Sequence, residues 1–174
     1  VAGVHIEFEL EFNSGDTEAV ATQAGTAERV AVDDPPPEKC LNPYHVGPNF
    51  ETNRFDLSTD GHLMVAQIVT MVDEAPCVRD ERGTTCAGTD AAFAVEGHTD
   101  ERDSYLPGGN EMLSQHRAEA VAVLLRSLGA AQHSIKGFAA LYPAPAPIPD
   151  HRTDAERWHD DRRVTLRLWC PPGG

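Results

Sequence analysis

Two short runs in this chain carry side chains of the kind that grip a ligand. Gly97-His98-Thr99-Asp100 places a carboxylate at the end of a predicted strand. Asn110-Glu111-Met112-Leu113-Ser114-Gln115-His116-Arg117-Ala118 delivers a guanidinium on the first turns of a predicted helix. Opposite charges at the mouth of one strand-loop-helix unit can hold both ends of a zwitterion, since an ammonium seeks Asp and a carboxylate seeks Arg. The bland counterpart is an ion pair of Asp100 with Arg117 or Arg102 that pins a loop to a helix, and exposed pairs of that kind contribute only about 0 to 1 kcal/mol. On charge and spacing alone the two readings stand level. Asn110 has a similar double meaning: it is the expected N-cap of the helix, and a helix N-terminus also presents free N–H groups to a carboxylate.

The elements that must position these groups are legible from periodicity. His5 to Phe12 alternates strictly, with Ile6, Phe8, Leu10 and Phe12 on one face and Glu7, Glu9 and Glu11 on the other, as a half-buried strand does. Asn13-Ser14-Gly15-Asp16 closes it with turn chemistry. Residues 17 to 58 are rich in Pro, Gly, Asn and Asp, so little regular structure is expected there, and a loop of that length calls for a function or for crosslinks. Thr59-Asp60 offers an N-cap to a first helix whose stripe is Leu63, Ile68, Val69 and Val72, ending near Glu74 before Pro76. Ala91 to Gly97 reads as a central strand. A second helix runs from Asn110 to Leu128, burying Leu113, Val121, Leu124, Leu125 and Leu128, with Gly129 at its end. Ser134 to Phe138 is a third strand, Tyr142 to Pro149 an extended polyproline stretch, and Thr153-Asp154-Ala155-Glu156 a capping box that starts a short helix carrying Trp158. Arg163 to Trp169 closes the sheet with Val164, Leu166 and Leu168 inward. This order predicts an α/β two-layer sandwich, a mixed sheet with two main helices on one face.

Composition narrows the partners. Of the residues 40% are hydrophobic and 24% charged, which fits a globular domain, and a net charge of -14 opposes binding to nucleic acid or to anionic lipid surfaces. No apolar run reaches the roughly 18 to 20 residues that span a bilayer. Val1 is no initiator Met and no signal-peptide pattern precedes the first strand, so any leader or anchor is expected to lie outside this sequence. The eight histidines include His98-x-Asp100, but no His-Glu-x-x-His and no nucleophile elbow occurs. An enzyme is therefore not expected, no metal or other cofactor is implied, and His98 reads as a packing or supporting residue.

Cys40, Cys77, Cys86 and Cys170 lie in Pro, Gly and charge-rich stretches. Cys77 and Cys86 bracket a short loop and suggest a local disulfide worth about 2 to 3 kcal/mol. Cys40 would then clip the insertion to the tail at Cys170. All three pairings remain open, free thiols are a weaker reading, and the spacings fit no usual zinc site. Disulfides imply an oxidising compartment.

The segment Val95-Glu96-Gly97-His98-Thr99-Asp100-Glu101-Arg102, then Asn110-x-x-Leu113-Ser114-x-x-Arg117-Ala118-x-x-Val121, then Gly129 and Arg162-Arg163-Val164, resembles OmpA-like peptidoglycan-binding domains. Pal lipoproteins and the periplasmic part of MotB share this pattern. Three separated motifs in the family's order cover about residues 91 to 169, with a weaker match at Ile6 to Ser14. The resemblance implies one OmpA-like domain over residues 1 to 174 with an insertion at about 17 to 58. It implies noncatalytic binding of peptidoglycan, with Asp100 taking the ammonium and Arg117 the carboxylate of a diaminopimelate residue. Thr99 and Asn13 lie where the family lines its pocket, and Arg162 where an arginine buttresses the aspartate. The implied setting is periplasmic, attached to the outer membrane. Three departures stand out: Asp161 replaces the family's usual Asn, the loop carrying Tyr105-Leu106-Pro107-Gly108-Gly109 is longer, and Arg54-Phe55-Asp56-Leu57 competes with Phe12-Asn13 for the pocket edge. The alternative is an envelope interaction module in which wall binding is lost and the insertion docks a protein partner, with Trp169 and Tyr142 as anchors.

Overall fold

The computed structural model describes residues 40–41, 47–147 and 150–172. The expected first strand at residues 5 to 12, together with Asn13 and most of the insertion, lies outside the described residues. Helix α1 (Thr59–Asp73) is capped by Ser58 rather than by Thr59 or Asp60: the Ser58 hydroxyl accepts from the Gly61 N–H at 3.0 Å. Its buried stripe is Gly61, Val65, Val69 and Val72. Leu63, expected inward, sits two positions off that stripe and is 58% exposed.

A hairpin that periodicity gives no sign of follows, β1 (Val78–Arg79) against β2 (Thr85–Cys86), with Val78 opposite Cys86. It decides the disulfides. Leu41 joins β1 in a parallel bridge, its N–H donating to the Cys77 carbonyl at 2.8 Å, which sets Cys40 beside Cys77. The bonds formed are Cys40–Cys77 and Cys86–Cys170. The expected Cys77–Cys86 and Cys40–Cys170 pairs are thus both corrected. Side chains alternate across a ribbon, so Cys77, one position away from the Val78–Cys86 pair, projects to the face opposite Cys86.

The central sheet runs β4-β3-β5. Strand β3 (Ala92–Gly97) pairs parallel with β4 (Ala131–Gly137) and antiparallel with β5 (Val164–Trp169), which makes the sheet mixed. Phe93 and Val95 of β3 and Val164, Leu166 and Leu168 of β5 point into one core. Val65, Val69 and Val72 of α1 and Ala118, Val121 and Leu125 of α2 (Gly109–Ser127) cover it from the same side. Leu124 is only partly buried and Leu128 is 39% exposed, because the stripe centres on Leu113, Arg117, Val121 and Leu125. The N-cap of α2 is Gly108, not Asn110, which lies one position inside the helix. Tyr142 to Pro147 has no regular structure. Helix α3 (Asp154–Asp161) begins with the full capping box, Thr153 accepting from the Glu156 N–H while Glu156 accepts from the Thr153 N–H.

Candidate functional site

The site is assembled where β3 runs out. Gly97 ends the strand, and a Cβ there would stand 1.9 Å from the Ser114 carbonyl oxygen; a Cβ on Gly137 of β4 would stand 2.5 Å from the Ser114 hydroxyl. Only glycine lets α2 lie this close to both strands. Ser114 exploits the approach by accepting from the Ala139 N–H at 2.9 Å and donating to the Glu111 carbonyl. Beyond Gly97 the chain is clamped on both sides, the His98 N–H donating to the Arg163 carbonyl and the Thr99 N–H to that of Ala139. The next residue, Asp100, is thereby held against the first turns of α2.

Asp100 is 5% exposed. Its Oδ1 accepts from the Arg102 N–H at 3.0 Å and from Arg102 Nε at 3.1 Å; its Oδ2 accepts from Arg102 Nη2 at 2.7 Å and from Arg162 Nη1 at 3.1 Å. Burial pushes the Asp100 carboxyl up, but the hydrogen bonds from Arg102 and Arg162 outweigh it and hold the group below the usual carboxylate range. Arg162, the C-cap of α3, is itself fixed by Nε donating to the Phe50 carbonyl at 2.9 Å.

Arg117 is wholly buried. It does not pair directly with Asp100. Nε donates to the Arg54 carbonyl at 2.9 Å, Nη1 to that of His98 at 2.8 Å and Nη2 to that of Glu51 at 3.1 Å. These bonds tie residues 50–55 to α2 and leave one N–H on each terminal nitrogen. Burial and the nearby Arg162 lower its pKa to about 10, so it stays cationic at neutral pH.

Asp100, Arg117, Thr99, Asn110 and Arg162 together line one narrow recess with Thr52, Asn53, Arg102, Asp103 and Leu113. Asn13 lies outside the described residues. Asn110 uses its amide to hold the loop, donating to the carbonyls of Asp100 at 3.3 Å and Arg102 at 2.9 Å. Among the described residues the buried Thr99 hydroxyl has no hydrogen-bond partner. Such atoms are uncommon and call for an explanation. His98 packs instead of lining the recess: it is 2% exposed and stacks on Phe138, with ring centroids 5.9 Å apart. Asp161 accepts from the Ala144 N–H at 2.6 Å and so braces the proline-rich stretch.

Thr52 and Asn53 are site residues that the sequence does not announce, because nothing in their spacing shows that Gly47 to Phe50 runs along the start of β5. Asn49 bridges Arg163 there, and the Phe50 N–H donates to the Arg162 carbonyl. Arg102, expected only as an ion-pair partner, is also a lining residue. Asp at position i accepting from the N–H of i+2 is ordinary turn chemistry after a strand, so a signal for its place does exist in the sequence.

The order β4-β3-β5, with α1 and α2 packed on one core, is the OmpA-like sandwich. Solved structures share it. The peptidoglycan-associated lipoprotein of Burkholderia pseudomallei is 22% identical, with 70% of this chain and 87% of that one covered at a TM-score of 0.50. The C-terminal domain of Helicobacter pylori MotB is 17% identical, with 71% and 84% covered at 0.52. The longer periplasmic domain of the same MotB is 18% identical, with 70% of each chain covered at 0.51. At these identities the likeness establishes the fold. No family model and no curated protein sequence matches the chain.

Proposed function

We propose that this chain is a noncatalytic, peptidoglycan-binding domain of the periplasm that anchors an envelope protein to the cell wall, attached in its full form to the outer membrane. Residues 1 to 174 form one such domain with an insertion at about 17 to 58. The ligand is the diaminopimelate residue of a stem peptide, its side-chain ammonium on Asp100 and its carboxylate on the free N–H groups of Arg117, with Thr99 and Asn110 beside them, Asn13 at the edge, and Arg162 supporting Asp100. The observation that carries this reading is a buried carboxylate and a buried guanidinium lining one recess without pairing to each other, beside a Thr99 hydroxyl that lacks a partner. A protein associated with peptidoglycan shares the fold. The charge of -14 gives no general attraction to anionic polymers, so fit at these two groups must supply recognition.

A single small site of charge-assisted hydrogen bonds gives modest affinity, and many copies along a polymer lengthen residence by effective concentration. The test is calorimetric titration with a diaminopimelate stem peptide beside its lysine analogue, on the wild type, Asp100→Asn and Arg117→Lys. Saturable heat that requires the second carboxylate and both side chains is the expected result. A folded protein silent to both peptides would overturn the reading in favour of a protein partner on the insertion.

A further inference from the structure

A carboxylate offers about four lone-pair positions, and all four of Asp100 are occupied: two by the Arg102 side chain, one by the Arg102 backbone N–H and one by Arg162. An ammonium arriving at Asp100 must evict one of these donors. The backbone N–H is fixed by the turn, and Arg162 is held by a second bond to Phe50, with its side chain 11% exposed. The Arg102 side chain is 38% exposed and is the one donor free to move. Its outer surface already rests on other partners. The guanidinium carbon lies 4.4 Å from the centre of the Trp158 ring, and Nη2 is 3.3 Å from the Thr52 hydroxyl. The Trp158 ring is in turn steadied by its Nε1–H donating to Glu101 at 3.2 Å. Released from Asp100, Arg102 keeps a cation–π surface to lie on.

We propose that Arg102 is a specificity-determining latch, an internal cation that fills the ammonium position on Asp100 until a ligand ammonium displaces it. The inference rests on Asp100 being the ammonium position of the proposed function. Departure of Arg102 vacates one acceptor position on Oδ1 and one on Oδ2. An ammonium has three N–H donors, and the unpartnered Thr99 hydroxyl lining the same recess is available to the third. A hydroxyl or amide in the ligand could not replace the lost charge-assisted bonds, so the latch discriminates against ligands that lack a cation. The closed form also lowers apparent affinity in proportion to its population.

The measurement is the same titration on the wild type, Arg102→Gln and Arg102→Ala, with a peptide whose side-chain amine is acetylated as control and a thermal melt of each variant. Loss of a half-exposed ion pair should tighten binding of the free-amine peptide about two- to fivefold. Arg102→Lys, which keeps a cation but not the fork, should fall between. The acetylated peptide should bind none of them. Tighter binding by the variants than by a wild type that itself binds supports the latch. Wild-type binding that is unchanged or weakened in folded variants overturns the latch and leaves the wall-binding reading standing. Silence from the wild type and every variant overturns both.

Discussion

Arg117 is as much a part of the scaffold as of the recess, and replacing it should show this. Arg117→Met keeps most of the side-chain volume but leaves the carbonyls of Glu51, Arg54 and His98 without the donors now at 3.1, 2.9 and 2.8 Å. The buried His98 carbonyl left without its donor costs about 1 to 3 kcal/mol and the half-buried Glu51 and Arg54 carbonyls about 0.5 to 1.5 each, roughly 2 to 6 in all. Relief from burying a guanidinium offsets part of that, since a buried charge carries a desolvation penalty of several kcal/mol. The net expectation is a loss of about 3 to 5 kcal/mol, the usual cost of breaking a buried charged network. Against a typical stability of about 5 to 15 kcal/mol the variant stays folded, melting roughly 6 to 20 °C lower. Denaturant unfolding followed by far-UV circular dichroism measures it, with the m-value confirming that the same surface is exposed. A loss under about 1 kcal/mol would refute the argument that Arg117 staples residues 50–55 to α2. Stability also bears on binding: a silent titration on a destabilised Arg117 variant would not by itself locate the ligand carboxylate, so each titration needs the melt of the same variant beside it.

Two more expectations concern pH and redox state. Burial raises the Asp80 carboxyl, but the Arg82 fork and the N–H groups of Cys170 and Thr84 outweigh it, and Asp80 like Asp100 sits below its ordinary value. That stabilisation is complete above the unfolded carboxyl's pKa of about 4 and is lost as pH falls below it. His98 has its pKa lowered from 6.5 to about 4, by burial first and then by Arg163 and Arg167. Stability should therefore already decline between pH 6.5 and 4, as the unfolded chain takes a proton the folded one refuses. Denaturant midpoints across roughly pH 2 to 8 should show both limbs, with His98→Phe flattening the upper and Asp80→Asn the lower; parallel curves for variant and wild type would contradict the assignment. Cys86–Cys170 spans 84 residues and Cys40–Cys77 spans 37. The loop-entropy relation gives each about 4 kcal/mol, the former slightly more. Paired Cys→Ala variants should each melt roughly 8 to 16 °C lower, and mass spectrometry of the unreduced digest should find these two pairings and not Cys77–Cys86.

Whatever rests on a local period is legible in the sequence. The α2 stripe, the β3 and β5 alternation and the Thr153–Glu156 capping box each sit in a stretch long enough, or a motif short enough, for neighbours in the chain to dictate the outcome. The Asp100 and Arg117 recess is legible for the same reason, as the end of a strand and the start of the next helix. The two-residue strands of the hairpin are too short to show a period, and the pairing of Leu41 with Val78 depends on chain brought back from far away. The expected disulfides fail with it. Ser58 in place of Thr59 as cap is a one-residue slip of the kind that helix ends invite. Arg117 reads from sequence as a ligand-facing cation, and its backbone partners are invisible there because residues 50–55 carry no pattern that would set them against α2.

The disulfide arrangement fixes how the described region would bear tension. A pull applied through residues 40 and 170 enters at Cys40, crosses a sulfur bridge to Cys77, follows the chain through the β1–β2 hairpin to Cys86, and crosses the second bridge to Cys170. Helices α1, α2 and α3 and strands β3, β4 and β5 all hang off this path as unloaded loops. Only the hairpin can lengthen, and at most about 3.6 Å per residue limits its extension to roughly 30 Å. With both bridges oxidised, the recess holding Asp100 and Arg117 keeps its shape under load; with Cys86–Cys170 reduced the same pull would run through the sheet that builds it, and with Cys40–Cys77 reduced through α1 and the segment carrying Thr52 and Asn53.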